Sequence, residues 1–229
     1  MLLMYRSKLG YNITMLINIM ETPVSYINLD KDYAKNANMQ DMLGQFSNVT
    51  RVEAEYIKDD AIWALAKSQK KAIDALSVPG IILEDDCVKA NFKSELNVPD
   101  DADIVFLGIW DMKRPAINSG KYLPAYENYN EDFVRVYSMS GSHAIMFVSE
   151  TGKNIASQAY EVASRTGLWN DAILNRALPF IKAYAPKYPI FKQTSQLELT
   201  DIVYSDEFVI TDPSYIDDLI VTPRDIETL

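Results

Sequence analysis

Cysteine and histidine are almost absent from this sequence, and their scarcity excludes several kinds of site. Among 229 residues there is one cysteine, Cys87, and one histidine, His143. A single cysteine cannot form an internal disulfide, which argues against a secreted, disulfide-stapled fold and suits a reducing cytosol. The usual Cys/His structural zinc site is excluded as well. A catalytic Cys87–His143 pair would need the fold to bring both together, so we expect a half-buried, apolar Cys87 instead.

Long apolar runs and glycine-rich phosphate loops are also lacking. No segment reaches ~18 uninterrupted apolar residues, so no membrane span is predicted. Arg6 and Lys8 interrupt the mildly apolar start, and no signal-peptide core follows it. We therefore expect residues 1–22 to be an extension peripheral to the fold, and the protein to be cytoplasmic. No Gly-x-Gly-x-x-Gly, Gly-x-x-x-x-Gly-Lys-Ser/Thr or Gly-x-Ser-x-Gly pattern occurs, which argues against dinucleotide oxidoreductases, P-loop enzymes and α/β-hydrolases.

Positive charge is in the minority. Lysine and arginine number 22 against 32 acidic residues, which gives a net charge of −10. Such a surface disfavours non-specific binding to nucleic acid or anionic lipid, unless Lys67, Lys70 and Lys71 form a local contact face. Hydrophobic residues make up 48% of the chain, so it can bury a sizeable core and does not resemble a disordered protein.

The hydrophobic pattern alternates strands with helices. Apolar and β-branched runs predict strands over 24–29, 48–54, 81–83, 103–108, 133–137 and 143–148. Apolar residues at helical spacing predict helices over 32–46, 60–76, 151–164 and 170–178. This alternation is typical of an α/β fold with a mostly parallel sheet flanked by helices. We place a single domain at residues 23–205 and a docking tail at 206–229.

Two stretches are predicted to be irregular. Residues 111–132 are rich in proline, glycine, asparagine and tyrosine, and long loops of this kind are usually functional. Their tyrosines, Tyr122, Tyr126 and Tyr129, are candidates for a lid. Three prolines, at positions 179, 186 and 189, predict a second irregular stretch.

Three consecutive acids, Glu84, Asp85 and Asp86, are the strongest functional signal. They follow the short apolar run Ile81–Leu83, which begins after Pro79-Gly80. The acids therefore lie where a predicted strand leaves the sheet, the edge at which open α/β sheets bind ligands. Crowded carboxylates repel one another unless a cation compensates, and a divalent metal is one such cation because it takes carboxylate oxygens. The alternative is a solvated acidic turn.

The order of the motifs resembles glycosyltransferase family 25, the lipopolysaccharide-biosynthesis type. Five short motifs follow the family's order: Tyr26–Asp30, Thr50–Ala54, Ile82–Asp86, Asp103–Gly108, and Gly141–Ala144 followed by Ser149–Gly152. Trp169-Asn170-Asp171 lies where the family has an acid, and Gln193–Ser195 lies near its late glutamine and serine. The sequence departs from the family at Ala64-Leu65, where Ser-His is usual, at Lys35-Asn36, where an arginine is usual, and at Ile145, where a tyrosine is usual.

The resemblance, over roughly residues 24–202, implies a GT-A-like (Rossmann-like) transferase that moves a sugar from a nucleotide diphosphate donor, UDP-linked by family precedent. It implies a divalent metal, Mn²⁺ or Mg²⁺. Alternate residues of an extended segment point the same way, so Glu84 and Asp86 would face the metal and diphosphate while Asp85 faces structure or the donor sugar. His143 is a candidate third metal ligand or phosphate contact, or else a packed histidine. Donor-binding candidates at the first two strand ends are Asn28, Asp30 and Arg51, although Arg51 could instead pair with a nearby acid.

The acceptor side is assigned to Trp169, Asn170 and Asp171. Asp171 is a candidate general base for the attacking hydroxyl, or else a helix-capping acid. The Trp169 ring could stack on a sugar, and Asn170 could cap the helix. Carbohydrate is the default acceptor; a hydroxylated nucleic-acid base or a protein side chain stays open, the former disfavoured by net charge. The rival interpretation is a catalytically idle relative that binds sugar or another chain. Metal-dependent phosphate hydrolysis would want more Asp/His ligands than the sequence places.

Overall fold

The structure, a computed structural model, describes residues 13–58, 60–110, 116–118, 121–123 and 125–194. Within these residues the strands, numbered β1 to β14, are Thr14–Asn18, Val24–Asn28, Val49–Glu53, Gly80–Glu84, Cys87–Lys89, Glu95–Pro99, Ile104–Gly108, Ala116–Asn118, Lys121–Leu123, Tyr126–Asn128, Phe133–Val136, Ala144–Phe147, Ala183–Pro186 and Phe191–Gln193. Helices α1 to α4 cover Tyr33–Met42, Ala61–Ala75, Glu150–Thr166 and Asn170–Ala177, and a 3-10 turn covers Leu178–Phe180.

Eight strands form one mixed sheet in the order β10-β11-β13-β7-β12-β4-β2-β3. Strands β3, β2, β4, β7, β13 and β10 run in one direction, whereas β12 and β11 run against them. The predicted α/β class is therefore confirmed, with antiparallel strands inserted among the parallel ones. Over the described residues, no helix is long and apolar enough to cross a lipid bilayer.

Both faces of the sheet are covered. Alternate residues of β4 divide between the faces: Ile82 belongs to one core cluster, with side chains of α2, α3 and α4, and Ile81 and Leu83 belong to the other. The second cluster contains Met39 from α1 and Leu43, which follows this helix, together with β1 and β6 side chains. The apolar run in β4 contains no polar residue because both faces of this central strand are buried.

Side-chain caps fix where the helices begin. The carboxylate of Asp32 accepts a hydrogen bond from Lys35 N, and that of Asp60 accepts from Trp63 N. Ser149 Oγ accepts from Gly152 N and donates to Asp103 Oδ1 at 2.5 Å, which ties α3 to the start of β7. Each cap satisfies a donor that would otherwise lack a partner in the first turn.

The N-terminal boundary at residue 23 is too late for the packed part of the chain. Strand β1 pairs antiparallel with β6, and Ile17 and Ile19 are buried in the core. The packed chain therefore begins before Val24, because the two-stranded sheet of β1 and β6 packs on the α1 face of the main sheet. The predicted tail, 206–229, lies outside the described residues.

The two stretches predicted to be irregular contain strands. Strands β8 and β9 pair with each other, and β10 joins the edge of the main sheet. Tyr126 packs against the core, and the Tyr129 ring lies edge-on to Tyr184 at 4.8 Å, so both tyrosines pack instead of forming a lid; Tyr122 is outside the described side chains. Strand β13 was not predicted because it contains Pro186. This proline lies at the last position of the strand, where a missing N–H is tolerated.

Candidate functional site

The strand order places a crevice between the carboxyl ends of β2 and β4. From β2 the chain passes through α1 to β3 on one side, then through α2 to β4 on the other side of β2. Because α1 and α2 pack on opposite faces, the strand ends separate at this switch point, where open α/β sheets bind ligands. Strand β2 ends at Asn28, and β4 ends at Glu84, followed directly by Asp85 and Asp86.

Asp85 lies on the α1 side of the crevice within a network of polar side chains. Its Oδ2 accepts a hydrogen bond from Asn28 Nδ2 at 2.9 Å, and its Oδ1 pairs with Lys35 Nζ at 2.9 Å. Arg51 Nε donates to Asn28 Oδ1 at 3.1 Å, and the same guanidinium lies 3.3 Å from Asp30 Oδ1. The structure thus joins the three predicted donor-binding residues to Asp85, and it gives Arg51 the acidic partner that the sequence left open.

Glu84 and Asp86 point to the other side and converge on one atom. Gln193 Nε2 lies 3.1 Å from Glu84 Oε2 and 3.4 Å from each carboxylate oxygen of Asp86. Strand β14 holds that amide in place by pairing with β5, and Thr194 N donates to the Asp86 carbonyl at 2.9 Å. The predicted alternation of the three acids is therefore present, with a donor group between the outer two.

Burial makes ionisation of the Glu84 and Asp86 carboxyl groups unfavourable. Burial, reinforced by the negative charges of Asp86 and Asp85, raises the pKa of Glu84 to about 8, although hydrogen bonds from Gln193 and Gln69 oppose the shift. Burial also raises the pKa of Asp86, against the opposing effect of Lys35. The Lys35 amine has a raised pKa because the surrounding carboxylates, Asp85 foremost, outweigh the effect of its partial burial. A positive charge near Glu84 and Asp86 would reverse their shifts.

A chain of carboxamides extends from Glu84 towards α4. Gln69 Nε2 donates to Glu84 Oε1 at 2.9 Å, and Gln69 Oε1 accepts from Asn170 Nδ2 at 2.7 Å. Asn170 is the first residue of α4; the N-cap is Trp169, without a side-chain cap bond, so the prediction that Asn170 caps the helix was wrong. Its side chain instead bonds across to α2, because Asn170 is buried against that helix.

Beside these carboxamides lies a cavity of about 540 Å³. Glu84, Gln193 and Asn170 line one part of it, and the indoles of Trp110 and Trp169 line another. Both indoles are accessible, with 41% and 57% of their surface exposed. The volume and the mixture of aromatic and polar walls are typical of a small-molecule site.

Asp171 fixes a loop in the wall of this cavity. Its Oδ2 accepts a hydrogen bond from Gly141 N at 2.9 Å, and its Oδ1 accepts from Ala172 N at 2.8 Å. Gly141 has a φ of +63°, and a Cβ there would come within 2.8 Å of Trp110 Cβ. Glycine is thus required both by the left-handed backbone and by the close approach of Trp110.

His143 is packed against the main chain. Its Nε2 lies 3.4 Å from the Phe191 carbonyl, and burial lowers the pKa of the imidazole to about 4, so the ring is neutral at pH 7. Its own carbonyl accepts from Glu84 N and from the Cys87 thiol, whose pKa is raised by burial. Cys87 therefore contacts the His143 main chain and not its ring, and it is more deeply buried than expected. A metal-binding role for His143 stays a prediction.

Three residues of the site were not predicted from the sequence. Gln69 was detectable, because it lies on the apolar face of α2 between Leu65 and Ile73, where a polar residue needs a buried partner. Trp110 was detectable as an aromatic residue two positions after β7. Lys35 was noted only as a departure from the family pattern.

Each of the three lysines that could form a local contact face has a partner within the chain. Lys70 pairs with Asp74, Lys71 Nζ donates to the Glu53 carbonyl, and the Lys67 amine lies over the Trp63 ring.

Across the described part of the chain, no cluster of three or more His, Cys, Asp or Glu side chains is arranged to hold a metal ion.

Comparison with known proteins gives no identification: no family model and no curated protein sequence matches the chain.

Proposed function

We propose that this protein is a GT-A-like glycosyltransferase that moves a sugar from a nucleotide diphosphate donor, such as a UDP-sugar, to a hydroxyl acceptor. The observation that carries the proposal is the convergence of Glu84 and Asp86 on a single donor atom at the switch point of the sheet. A cavity large enough for a sugar opens directly beside them. The motif order of the sequence agrees with the same activity.

The acidic pair suits a hard divalent cation, Mn²⁺ or Mg²⁺. Both side chains offer carboxylate oxygens, and both already accept from Gln193 Nε2, a group of positive polarity. The ion, once bound, would act as a Lewis acid that offsets the charge building on the departing diphosphate. In the chain itself, Gln69 and Gln193 hold the Glu84 carboxylate in its orientation by donating to both of its oxygens.

The network around Asn28 suits the donor. Lys35 and Arg51 bring two cations to the carboxyl ends of β2 and β3, where a diphosphate or the hydroxyls of a ribose can be bound. Asp85 keeps Lys35 and Asn28 in place, which assigns this acid a positioning role. Asp171 lines the cavity, where its carboxylate can take the proton of an acceptor hydroxyl.

A sugar-binding protein without transferase activity is the second candidate. The favouring observation is that both oxygens of Glu84 already accept hydrogen bonds from carboxamides, and its pKa is about 8. A neutral Glu84 needs no cation. The two candidates differ in whether a metal-nucleotide binds.

Thermal unfolding with and without Mn²⁺ and UDP-sugars tests the proposal. A ligand at about 100 times its Kd adds ~2.7 kcal/mol, which raises the Tm of a protein of this size by roughly 5–10 °C. We expect this rise only when Mn²⁺ and nucleotide are present together, and donor hydrolysis under the same conditions. Asp86→Ala should abolish both, whereas Asp41→Ala, an exposed acid on α1, should change neither. Retained turnover in Asp86→Ala, or no response of the wild type to any metal and donor, would refute the proposal.

A further inference from the structure

The two exposed indoles and the charges around the cavity define its ligand more closely than the proposed function does. Trp110 and Trp169 are two of the three tryptophans in the chain; the first follows β7 and the second precedes α4, and these elements are far apart in sequence. Exposed apolar side chains scattered singly are common at protein surfaces, whereas several that meet at one place mark a ligand or partner site. The fold brings both to one cavity and leaves both rings accessible.

The backbone holds Trp110 in place at the cavity wall. Trp110 N lies 2.8 Å from the Ser140 carbonyl and 3.0 Å from the Gly141 carbonyl. Gly141 N is bound in turn by the Asp171 carboxylate. Trp169 precedes the first turn of α4, whose Asn170 is fixed by Gln69. Trp110 therefore lies in a main-chain segment held by hydrogen bonds, and Trp169 directly precedes a residue with a buried side-chain hydrogen bond, so the main chain that carries both indoles is fixed.

The cavity has acidic walls and no basic side chain among the described residues that line it. Glu84 and Asp171 are its acidic members; the other polar members are serine, asparagine and glutamine side chains. Lys35 and Arg51 bond to Asp85, Asn28 and Asp30 on the other side of β4. A phosphate or carboxylate in the cavity would thus meet carboxyl groups and no cation from the described lining. Hydroxyl groups, which donate to carboxylate and carboxamide oxygens, suit the same walls.

We propose that this cavity binds an uncharged pyranose ring of a carbohydrate acceptor, stacked on Trp110 and Trp169, and rejects anionic sugars and nucleic acid. The polarised C–H bonds on one face of a pyranose meet the negative face of an indole, and its hydroxyls meet Asp171 and the carboxamides. Calling this sugar the acceptor rests on the proposed function; the binding preference rests on the cavity alone.

Tryptophan fluorescence of the metal-free protein in EDTA tests the preference without donor or turnover. The probes are methyl pyranosides of glucose, galactose, mannose and N-acetylglucosamine, with glucuronic acid, glucose 6-phosphate and a single-stranded oligonucleotide containing 5-hydroxymethylcytosine as the anionic arm. We expect saturable changes with at least one neutral pyranoside and none with the anionic probes. Trp110→Ala and Trp169→Ala should each weaken that binding about tenfold, measured by calorimetry.

Matched variants separate stacking from loss of the fold. Trp63→Ala removes the third tryptophan, which does not line the cavity and lies under Lys67, and it should leave binding unchanged. Trp169→Phe keeps an aromatic ring and should retain most of the affinity. Binding of an anionic probe, or unchanged affinity in both alanine variants, would overturn the proposal. If no neutral pyranoside binds while Mn²⁺-dependent donor hydrolysis persists, the pyranose proposal fails and the proposed transferase function stands. If pyranosides bind but no metal and nucleotide produce a response, the pyranose site stands and the transferase function fails.

Discussion

At the scale of the residue, the three consecutive acids Glu84, Asp85 and Asp86 have three different surroundings. Asp85 is paired with Lys35 and bonded to Asn28. Glu84 is held by two carboxamides, and Asp86 shares one of them. Glu84 ends β4, and Asp85 and Asp86 form the turn into β5, so one short segment supplies an ion pair to one side of the sheet and a carboxylate pair to the other.

The raised pKa of Glu84 predicts how the stability of the metal-free protein depends on pH. With a folded-state pKa of about 8 and an ordinary pKa of 4.5 for a glutamate, the folded state holds a proton that the unfolded state releases. The free energy of unfolding should therefore fall as pH rises through this interval and level off above about 8, with a slope of at most ~1.4 kcal/mol per pH unit.

Urea unfolding in EDTA between pH 6.5 and about 8.5 measures this slope. Below about pH 7.5 an unfolded histidine, with its ordinary pKa of 6.5, still binds protons that buried His143 does not, which adds an opposite slope shared by wild type and variant. The difference between wild type and Glu84→Gln therefore isolates the contribution of Glu84. Glu84→Gln should flatten the curve and make the variant more stable than wild type at the alkaline end. An identical slope in wild type and Glu84→Gln would show that Glu84 is ionised in the folded protein.

Asp171→Asn separates catalysis from loop anchoring. An asparagine oxygen can still accept from Gly141 N, so the free energy of unfolding should fall by less than about 1 kcal/mol, with a correspondingly small change in Tm. A general base contributes roughly 10²–10⁴-fold, so transfer to a pyranoside that the cavity binds should slow by at least about a hundredfold in kcat. If kcat is unchanged, Asp171 is only the anchor of Gly141, and the base lies elsewhere.

At the scale of elements, the short strand β14 decides whether the acidic pair is supported. It pairs with β5, carries Gln193, and passes its Phe191 carbonyl beside His143. Gly108 lies directly against this arrangement: a Cβ there would come within 2.5 Å of the Phe191 carbonyl oxygen and closer still to His143 Nε2. The glycine at the end of β7 thus permits β14 to approach the main sheet.

Gly108→Ala should therefore destabilise the protein and weaken the site together. Overpacking of this kind costs about 1–3 kcal/mol, and displacement of β14 would remove Gln193 from Glu84. Denaturant unfolding measures the first effect, and the Mn²⁺-nucleotide Tm shift measures the second. Gly44→Ala is the control, because its added Cβ meets only ordinary contacts at 3.4 Å. A loss of stability with an unchanged metal-nucleotide response would separate β14 from the site.

At the scale of the whole molecule, one sheet joins two hydrophobic clusters. Ile73 lies in the cluster formed with α2, α3 and α4, and Met39 lies in the cluster on the α1 face; both are fully buried. The same strands supply side chains to each cluster, because alternate residues point to opposite faces. If one cluster lost its packing, it would expose one face of the strands whose other face supports the second cluster.

Unfolding should therefore be a single cooperative transition. Far-UV circular dichroism and tryptophan fluorescence should give coincident urea curves. Ile73→Ala and Met39→Ala, each expected to cost about 2–5 kcal/mol, should move the entire transition by both probes. Two separate transitions, with each variant shifting only one, would show that the faces unfold independently.

The fold was predictable where hydrophobic pattern alone sets the structure. The runs at β2, β4, β7 and β12 and the periodic faces of α2 and α3 were all placed within a few residues. The pattern failed at β1, β5, β6, β13 and β14, which are short or rich in polar residues, alanine or proline. Such strands form because a neighbouring strand offers hydrogen-bond partners, and that information is absent from the local sequence.

The sequence by itself determined that this is an α/β protein with an acidic triplet at a strand end, because burial of apolar runs and the two-residue period of a strand are local properties. Only the tertiary structure decided what each acid faces: Lys35, Gln69 and Gln193 approach from α1, α2 and β14, which are separated from their partners by 50, 15 and 109 residues. It alone also brought Trp110 beside Trp169. Contacts between distant segments depend on strand order and helix packing, which no spacing in the sequence specifies.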